Sequence, residues 1–233
     1  MRVELQPAYV LHTRHYRDTS MLVDFFTPQY GRVSAVAKGV RAVSKTAKQK
    51  RSLLQSFKPL LISWGGKSDL KSLFHIEAQA ASYALQGERL FSAMYINELL
   101  TRLLQAEEEN DEIFYLYQQV LIQLNLHDPV DIILRRFELT LLNILGYGLQ
   151  LESVADSGEA IAPDGCYQYF PERGFSPYHG AQPLKNSFNG ADLLAIAVAD
   201  FQPAARAAAK RLCRQALGFY LGSKPLKSRE LFL

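Results

Sequence analysis

Residues 20–37 read SMLVDFFTPQYGRVSAVA. Two runs rich in β-branched and aromatic residues, Ser20 to Thr27 and Arg32 to Ala37, are separated by Thr27-Pro28-Gln29-Tyr30-Gly31. Pro and Gly in such a connection favour a tight turn, because Pro fixes φ and Gly accepts positive φ. The stretch therefore predicts a β-hairpin.

Three more segments of the same kind lie within the first 80 residues: Ala8 to Thr13, Phe57 to Trp64 and Leu70 to Ala80. Trp64-Gly65-Gly66-Lys67 supplies turn residues between the last two. Five short strands in a stretch of this length predict a small β-barrel of the oligonucleotide-binding type. The longest connection without a pattern, Gly39 to Ser56, is expected to be a flexible loop.

Charge is segregated in this part of the chain. Between Phe25 and Ser68 the chain has nine Lys and Arg residues and no Asp or Glu, although the net charge of the whole chain is only +3. A field of one sign attracts a polyanion, and the loops and strand faces of oligonucleotide-binding folds bind phosphate backbones. The alternative interpretation is a solvated lysine-rich loop. We assign the contacts with the polyanion in this part to Arg14, Arg32, Lys38, Arg41, Lys45, Lys48, Lys50 and Arg51.

Aromatic side chains on the barrel are candidates for base stacking. Tyr30 lies at the predicted turn and is the best exposed of them, and each of the others is more typical of a core residue. The remaining candidates are Tyr9, Tyr16 and Phe25 or Phe26.

The apolar pattern becomes helical after residue 82. It predicts three antiparallel helices packed as a bundle: Glu88 to Gln105, Ile113 to Leu126 and Val130 to Leu145. An acidic run, residues 107–112, joins the first two and is interpreted as a solvated turn. An irregular segment without a core of its own, residues 153–186, then precedes two helices, Gly190 to Ala199 and Pro203 to Leu221. The fold class is therefore α+β, with a barrel domain (1–82) and a helical domain (83–233).

The sequence does not present catalytic equipment. Five histidines are dispersed (His12, His15, His75, His127 and His179), and a strand would point His12 and His15 to opposite faces. Ser68 and Lys71 have nucleophile–base spacing but lack accompanying motifs. Cys166 and Cys213 form neither a disulfide framework nor a metal-ligand spacing, which is consistent with inert thiols in a reducing compartment. We therefore expect a binding protein, without enzymatic activity or cofactor.

The hydropathy pattern places this binding protein in the cytoplasm. No apolar run approaches the roughly 20 residues that a membrane-spanning helix requires. We accordingly expect no membrane association.

Several stretches, in order along the chain, are similar to one family. Residues 33–41 read VSAVAKGVR and are followed by Pro59-Leu60; residues 95–100 read YINELL, 134–139 read LRRFEL, 145–148 read LGYG, and 224–232 read KPLKSRELF. Together they resemble the RecO family of bacterial recombination and repair proteins. The resemblance implies an N-terminal oligonucleotide-binding fold, a helical C-terminal domain and binding of single- and double-stranded DNA at the nucleoid. It also implies annealing of complementary strands, partnership with RecR and with the acidic tail of the single-strand-binding protein, and loading of the RecA recombinase.

One departure from the family concerns metal. Many members carry a four-cysteine zinc site after the LGYG helix, but here Val154-Ala155-Asp156-Ser157-Gly158 contains neither ligand of the first pair. Because a tetrahedral zinc site needs four ligands, we expect no metal in this protein. Packing through Tyr167, Tyr169, Phe170 and Phe175 would then hold the segment.

Two further sites follow from charge and apolar pattern. Arg135 and Arg136, on a leucine-rich helix, are assigned to the acidic tail of the single-strand-binding protein, with Arg135 as the preferred cation. The C-terminal tail contains Leu226, Leu231 and Phe232, so it is expected to fold back and to present Lys224, Lys227 and Arg229 as a second DNA contact. The rival interpretation of the whole chain is an RNA- or ribosome-associated barrel protein, which the same basic loop would serve.

Overall fold

A computed structural model describes residues 2–126 and 128–232. His127, one of the five dispersed histidines, lies outside the described residues. The described residues form two compact units, one within 1–127 together with 225–233, and the other within 128–224. These units are a different division from the sequence boundary at residue 82, which stays a prediction.

The first unit contains a closed five-stranded barrel, as predicted. Its strands are β1 (Arg2–Tyr16), β2 (Ser20–Thr27), β3 (Gly31–Ala37), β4 (Leu60–Gly65) and β5 (Lys71–Ala78). The order around the barrel is β1-β2-β3-β5-β4, and β4 returns to pair with β1. Of these five strands, β3 and β5 pair in parallel, while the other neighbours are antiparallel. This is the strand order of an oligonucleotide-binding fold.

Residues 20–37 form the predicted hairpin. Met21 pairs with Ala37 at one end and Thr27 with Gly31 at the other. β1 is much longer than its predicted segment because its first half pairs with β4 and its second half with β2. Irregularities in register between Val3 and Gln6 and between Val10 and His12 accompany this change of partner. Such long-range pairing is invisible to a local pattern.

The connection between β3 and β4 contains a helix, so the prediction of a flexible loop is wrong. This helix, α1 (Lys45–Leu53), begins at Ser44, whose side chain accepts a hydrogen bond from the Ala47 amide at 3.2 Å. Lys, Gln, Arg and Ala are good helix formers, but Ala47 is the one buried residue within α1. The helix therefore has almost no apolar stripe from which it could be recognised. Leu54, directly after it, belongs to the barrel core.

Two helices and the C-terminal tail complete the first unit. They are α2 (Gly87–Leu103), α3 (Asp111–Asn125) and a 3-10 helix (Lys227–Phe232). The Asn97 side chain of α2 donates hydrogen bonds to the carbonyls of Val10 and Leu11 in β1, and the Tyr117 hydroxyl of α3 donates to Asn97 at 2.7 Å. Tyr117 also packs edge-on against Tyr9, with ring centroids 5.1 Å apart. These buried contacts join α2 and α3 to the barrel.

The second unit combines three helices with a small sheet. The helices are α4 (Val130–Ile144), α5 (Gly190–Ala197) and α6 (Pro203–Leu221), and the strands are β6 (Cys166–Phe170), β7 (Gly174–Pro177) and β8 (Ser187–Asn189) in the order β7-β6-β8. Because α4 belongs to this unit and packs with α6, the predicted bundle of α2, α3 and α4 is wrong. α6 ends at Gly222, with φ of 70°, as the sequence predicted.

The segment expected to be irregular, residues 153–186, contains strands β6 and β7. Tyr167, Tyr169, Phe175 and Phe188 are buried in the small sheet, and Phe175 lies against both Tyr169 and Phe188. Three of the four aromatics named from the sequence are thus buried, whereas Phe170 is only half-buried. Among the described residues, no helix has the length and apolarity needed to cross a bilayer.

Candidate nucleic-acid interface

Four cations project from α1 and are exposed: Lys45, Lys48, Lys50 and Arg51. None of the ion pairs formed by the described residues includes any of them. The first turn of the helix contains no acid, so the partial positive charge of its N-terminus adds to the side-chain charges. The predicted basic loop is therefore an ordered helix with uncompensated positive charge.

Lys38 and Arg41 lie between β3 and α1. Lys38 is exposed, whereas Arg41 is half-buried. The amide of Arg41 donates to the Thr19 carbonyl at 2.8 Å, and its Nη1 donates to the Arg17 carbonyl at 3.2 Å. Arg41 thus links this connection to the β1–β2 turn by hydrogen bonds. Only the remaining N–H groups of its guanidinium are available to an external anion.

Arg14 and Arg32 come together in a groove on the outer side of the barrel. The groove has a volume of about 840 Å³, and its other polar lining residues are Tyr16, Ser34, Asp69 and Glu107. The Nε atom of Arg32 is shielded from solvent and has no hydrogen-bond partner within the described structure. The charges of Arg14 and Arg32 make the groove a candidate site for a phosphate, which the carboxylates of Asp69 and Glu107 oppose.

The aromatic candidates for stacking separate into two groups. Tyr9, Phe25 and Phe26 are fully buried and are core residues. Tyr30, the preferred candidate, is half-buried and packs edge-on against Trp64 at 5.3 Å. Tyr16 is half-buried as well and lines the groove, with the Arg17 guanidinium 5.2 Å from its ring centroid. Of the candidates, Tyr16 is therefore the one beside Arg14 and Arg32, and the role of Tyr30 in stacking stays a prediction.

Sequence reasoning did not predict the ion pair between Lys71 and Glu107. Lys71 begins β5, and its Nζ lies 2.7 Å from Oε1 of Glu107, which follows α2. The acidic run was expected to be a solvated turn, but the Glu107 amide donates to the Arg32 carbonyl and the Asn110 amide to the Pro28 carbonyl. Part of the run therefore lies on the barrel. No local pattern signals this contact, because its partners are remote in sequence.

The C-terminal tail folds back onto α2. Both oxygens of Glu98 accept hydrogen bonds: Oε1 from the Lys227 amide at 2.9 Å, and Oε2 from the Ser228 amide at 2.8 Å and hydroxyl at 2.6 Å. Leu226 is buried, as expected, but Leu231 and Phe232 remain partly exposed. The tail is thus held both by hydrogen bonds to Glu98 and by burial of Leu226.

The cations of the tail differ in exposure, and the pKa of Glu98, which binds the tail, is lowered. Lys224 and Lys227 are exposed and Arg229 is half-buried, and their contact with DNA stays a prediction. Burial raises the pKa of Glu98, but the hydrogen bonds from Ser228 and Lys227, together with the nearby Arg102 charge, outweigh it and hold that pKa below 4.5.

The two arginines assigned to a partner, Arg135 and Arg136, differ in burial. Arg135 is buried, and its Nη2 donates to Oε1 of the buried Glu138 at 2.9 Å. It is therefore not accessible to a carboxylate from outside, which does not support it as the preferred cation. Arg136 is exposed, with its guanidinium 6.0 Å from the ring centroid of Phe201.

Burial, followed by the charge of Glu138, raises the pKa of the nearby Cys213 thiol, so this cysteine is held in its unreactive form.

Contacts between side chains and between backbone groups hold residues 154–158, the stretch in which the sequence lacks the expected zinc ligands. Asp156 and Arg173 form a two-pronged ion pair, with Nη2 2.6 Å from Oδ2, and the Ala155 amide donates to the Phe175 carbonyl. The hydrogen bond from Arg173 lowers the pKa of Asp156. Within residues 2–126 and 128–232, no group of three His, Cys, Asp or Glu side chains is arranged to hold a metal ion.

Comparison with known proteins agrees with this architecture. The family model for the Recombination protein O N terminal matches residues 1–81, and that for the Recombination protein O C terminal matches residues 84–230. The DNA repair protein RecO of Pseudoalteromonas atlantica is 46% identical over 232 residues, covering 100% of this chain and 95% of that protein.

Two further relatives are similar to the same extent. The DNA repair protein RecO of Tolumonas auensis is 47% identical over 233 residues, covering 98% of this chain and 95% of that protein. The DNA repair protein RecO of Haemophilus influenzae is 46% identical over 235 residues, covering 100% of this chain and 97% of that protein.

Proposed function

We propose, from the premise that this chain belongs to the RecO family of bacterial DNA repair and recombination proteins, that it is a non-enzymatic recombination mediator acting at the nucleoid. It binds single- and double-stranded DNA, anneals complementary strands, and helps to load the RecA recombinase onto strands coated by single-strand-binding protein. The observation that carries this proposal is the set of exposed cations on α1, which form no ion pair with the described residues.

The physical basis of annealing is charge neutralisation. Two single strands repel one another through their phosphates, so a cationic surface that neutralises both lowers the barrier to pairing without breaking a covalent bond. α1 supplies such a surface in ordered form, and Arg14 and Arg32 add two cations at the groove. Because the cations of α1 lie on an ordered helix, their binding to phosphates does not require the backbone of this segment to become ordered.

Access to coated strands requires partners as well as DNA. We propose that RecR and the acidic tail of the single-strand-binding protein are these partners. For the tail, the recognising cation becomes Arg136, because it is exposed beside an aromatic ring while Arg135 is engaged with Glu138. A carboxylate of the tail would meet the guanidinium in a charge-assisted hydrogen bond.

The test of DNA binding uses two triple variants that remove the same number of charges. One changes Lys45, Lys48 and Lys50 of α1 to Gln, and the control changes the exposed Lys185, Lys210 and Arg214 of the second unit to Gln. The α1 variant should flatten the plot of log affinity for single-stranded DNA against log salt by about 0.7 for each phosphate that the protein no longer neutralises. Its melting temperature should barely change, because the three side chains are exposed.

Equal flattening in both triple variants would contradict the assignment to α1, because summed charge alone would then explain binding. The same titration with RNA of identical sequence separates the rival function. Tighter binding of RNA than of DNA would favour an RNA- or ribosome-associated protein, since phosphate contacts alone do not recognise the 2′-hydroxyl.

A further inference from the structure

Residues 105–110, which connect α2 to α3, form what we call the acidic strap. The strap lies against the β2–β3 turn: Ala106 is bridged to Gly31 and Arg32, the Glu107 amide donates to the Arg32 carbonyl at 3.1 Å, and the Asn110 amide donates to the Pro28 carbonyl at 2.9 Å. Three consecutive glutamates, Glu107 to Glu109, are thereby held beside a cationic barrel. A connection that only joined two helices would not need to follow the turn in this way.

One carboxylate of the strap lies among the cations of the barrel. Glu107 ion-pairs with Lys71 at 2.7 Å, and the Lys71 side chain is only 12% exposed. Glu107 also lines the groove that contains Arg14 and Arg32, and a second pocket of about 270 Å³ that contains Lys67. It therefore occupies the junction of two recesses where an anion would be attracted.

The backbone at this junction is closely fitted and strained. A Cβ atom added at Gly31, whose φ is +50°, would lie 1.9 Å from the carbonyl oxygen of Glu108. Glu107 itself has a φ of +60°, in the left-handed region that a residue with a side chain occupies at an energetic cost. Non-glycine residues held in this conformation concentrate at sites that switch or bind.

We propose that Lys71, with Arg14 and Arg32, forms a phosphate-binding site of the barrel, and that Glu107 occupies this site until a nucleic acid displaces the strap. The proposal rests on the DNA-binding function proposed above and specifies how one site is regulated. Lysine and arginine bind carboxylate and phosphate through the same charge-assisted hydrogen bonds. Exchange of one anion for the other keeps Lys71 paired in both states, and a phosphate in the groove would also lie beside the cations Arg14 and Arg32.

A pair of charge variants tests the displacement. Glu107→Gln and Glu109→Gln make the same change in net charge two residues apart, and both side chains are exposed. Among the described ion pairs, Glu107 is paired with Lys71 and Glu109 is in none. Glu107→Gln should raise affinity for a single-stranded oligonucleotide by about fivefold over Glu109→Gln, the lower end of typical coupling between two binding events. Equal affinities of the two variants would overturn the proposal.

A second pair alters the strap without altering charge. Gly31→Ala places a methyl group against the Glu108 carbonyl, whereas Gly87→Ala introduces the same residue at a φ of +52° with no atom within 4 Å. Gly31→Ala should bind the oligonucleotide more tightly than Gly87→Ala if both fold, as monitored by circular dichroism. No difference between two folded variants would overturn the proposal, and if Gly31→Ala does not fold, the charge variants decide.

Hydrogen exchange of the unmodified protein observes the strap directly. The amides of Glu107 and Asn110 should be protected in the free protein and should lose protection when the oligonucleotide binds. Retained protection in a saturated complex would overturn the proposal and leave the strap as a structural connection. Such a result would leave the wider function intact if the α1 variant still flattens the salt dependence, so the two failures are distinguishable.

Discussion

Helices α1 and α4 both carry arginine or lysine residues assigned to binding, but these residues differ in solvent exposure and in ion pairing. The four cations of α1 are exposed and form no ion pair with the described residues, whereas Arg135 of α4 is buried against Glu138. A cation at the surface loses little when it exchanges water for a phosphate. A buried cation already has its counter-ion, and its removal leaves a charge in a poorly solvated interior. Charge alone therefore does not identify a binding residue; burial and pairing do.

The strongest test of this comparison is Arg135→Ala. The change leaves the Glu138 carboxylate buried without its guanidinium, so the free energy of unfolding should fall by about 3–5 kcal/mol. Urea unfolding followed by far-UV circular dichroism measures the loss. Arg136→Ala, the neighbouring control, should change it by no more than about 0.5 kcal/mol, because that side chain is exposed.

A double variant refines the same test. Replacement of both partners, as Arg135→Met with Glu138→Leu, removes the buried charges together and should recover most of the lost stability. If Arg135→Ala lowers the free energy of unfolding by less than about 1 kcal/mol, the ion pair is better solvated than the structure indicates.

An intermediate effect is expected at Glu98, which is neither as buried as Glu138 nor as exposed as the charges of α1. Glu98→Gln weakens three hydrogen bonds to the tail and should cost about 1.5–3 kcal/mol at neutral pH. Because the folded-state pKa of Glu98 lies below its ordinary value of 4.5, its contribution is complete above that value and is lost as the pH falls through the folded-state pKa.

The difference in stability between the parent protein and Glu98→Gln should therefore be constant from pH 7 to pH 6 and shrink as the pH falls below about 4.5. Thermal unfolding across this range provides the measurement. A difference that does not depend on pH would mean that the charge of Glu98 does not hold the tail.

The smallest effect is expected at Arg136, the exposed arginine of α4. Arg136→Ala should weaken binding of a peptide with the acidic tail sequence of the single-strand-binding protein by about 1 kcal/mol, the upper range for an exposed ion pair. Annealing of uncoated strands should stay unchanged. Lys210→Ala, which removes an exposed cation of α6, is the matched control for the peptide titration. Loss of peptide binding and annealing together would place the tail site elsewhere.

Local sequence sufficed where the determinants of structure are adjacent in the chain. The hairpin of residues 20–37 was predicted because its strand patterns and its turn residues lie within one short stretch. α6 was predicted from Pro203 to Leu221 because Pro begins it and Gly222 ends it. α1 was missed for a related reason: Ala47 and Leu54 bury too little apolar surface to produce a helical pattern, and its polar residues were interpreted as a loop.

The sequence by itself determined the barrel, the positive charge concentrated in it and the family to which the chain belongs, since each depends on residue types in order along the chain. Only the tertiary structure decided which charges are available. Arg135 and Arg136 are adjacent in sequence, yet one is buried against Glu138 and the other faces solvent. In the sequence Glu107 is one of several acids in a run, whereas in the structure its carboxylate forms an ion pair with Lys71. The free energy of a charge depends on its solvation and on neighbours that are distant in sequence, and folding sets both.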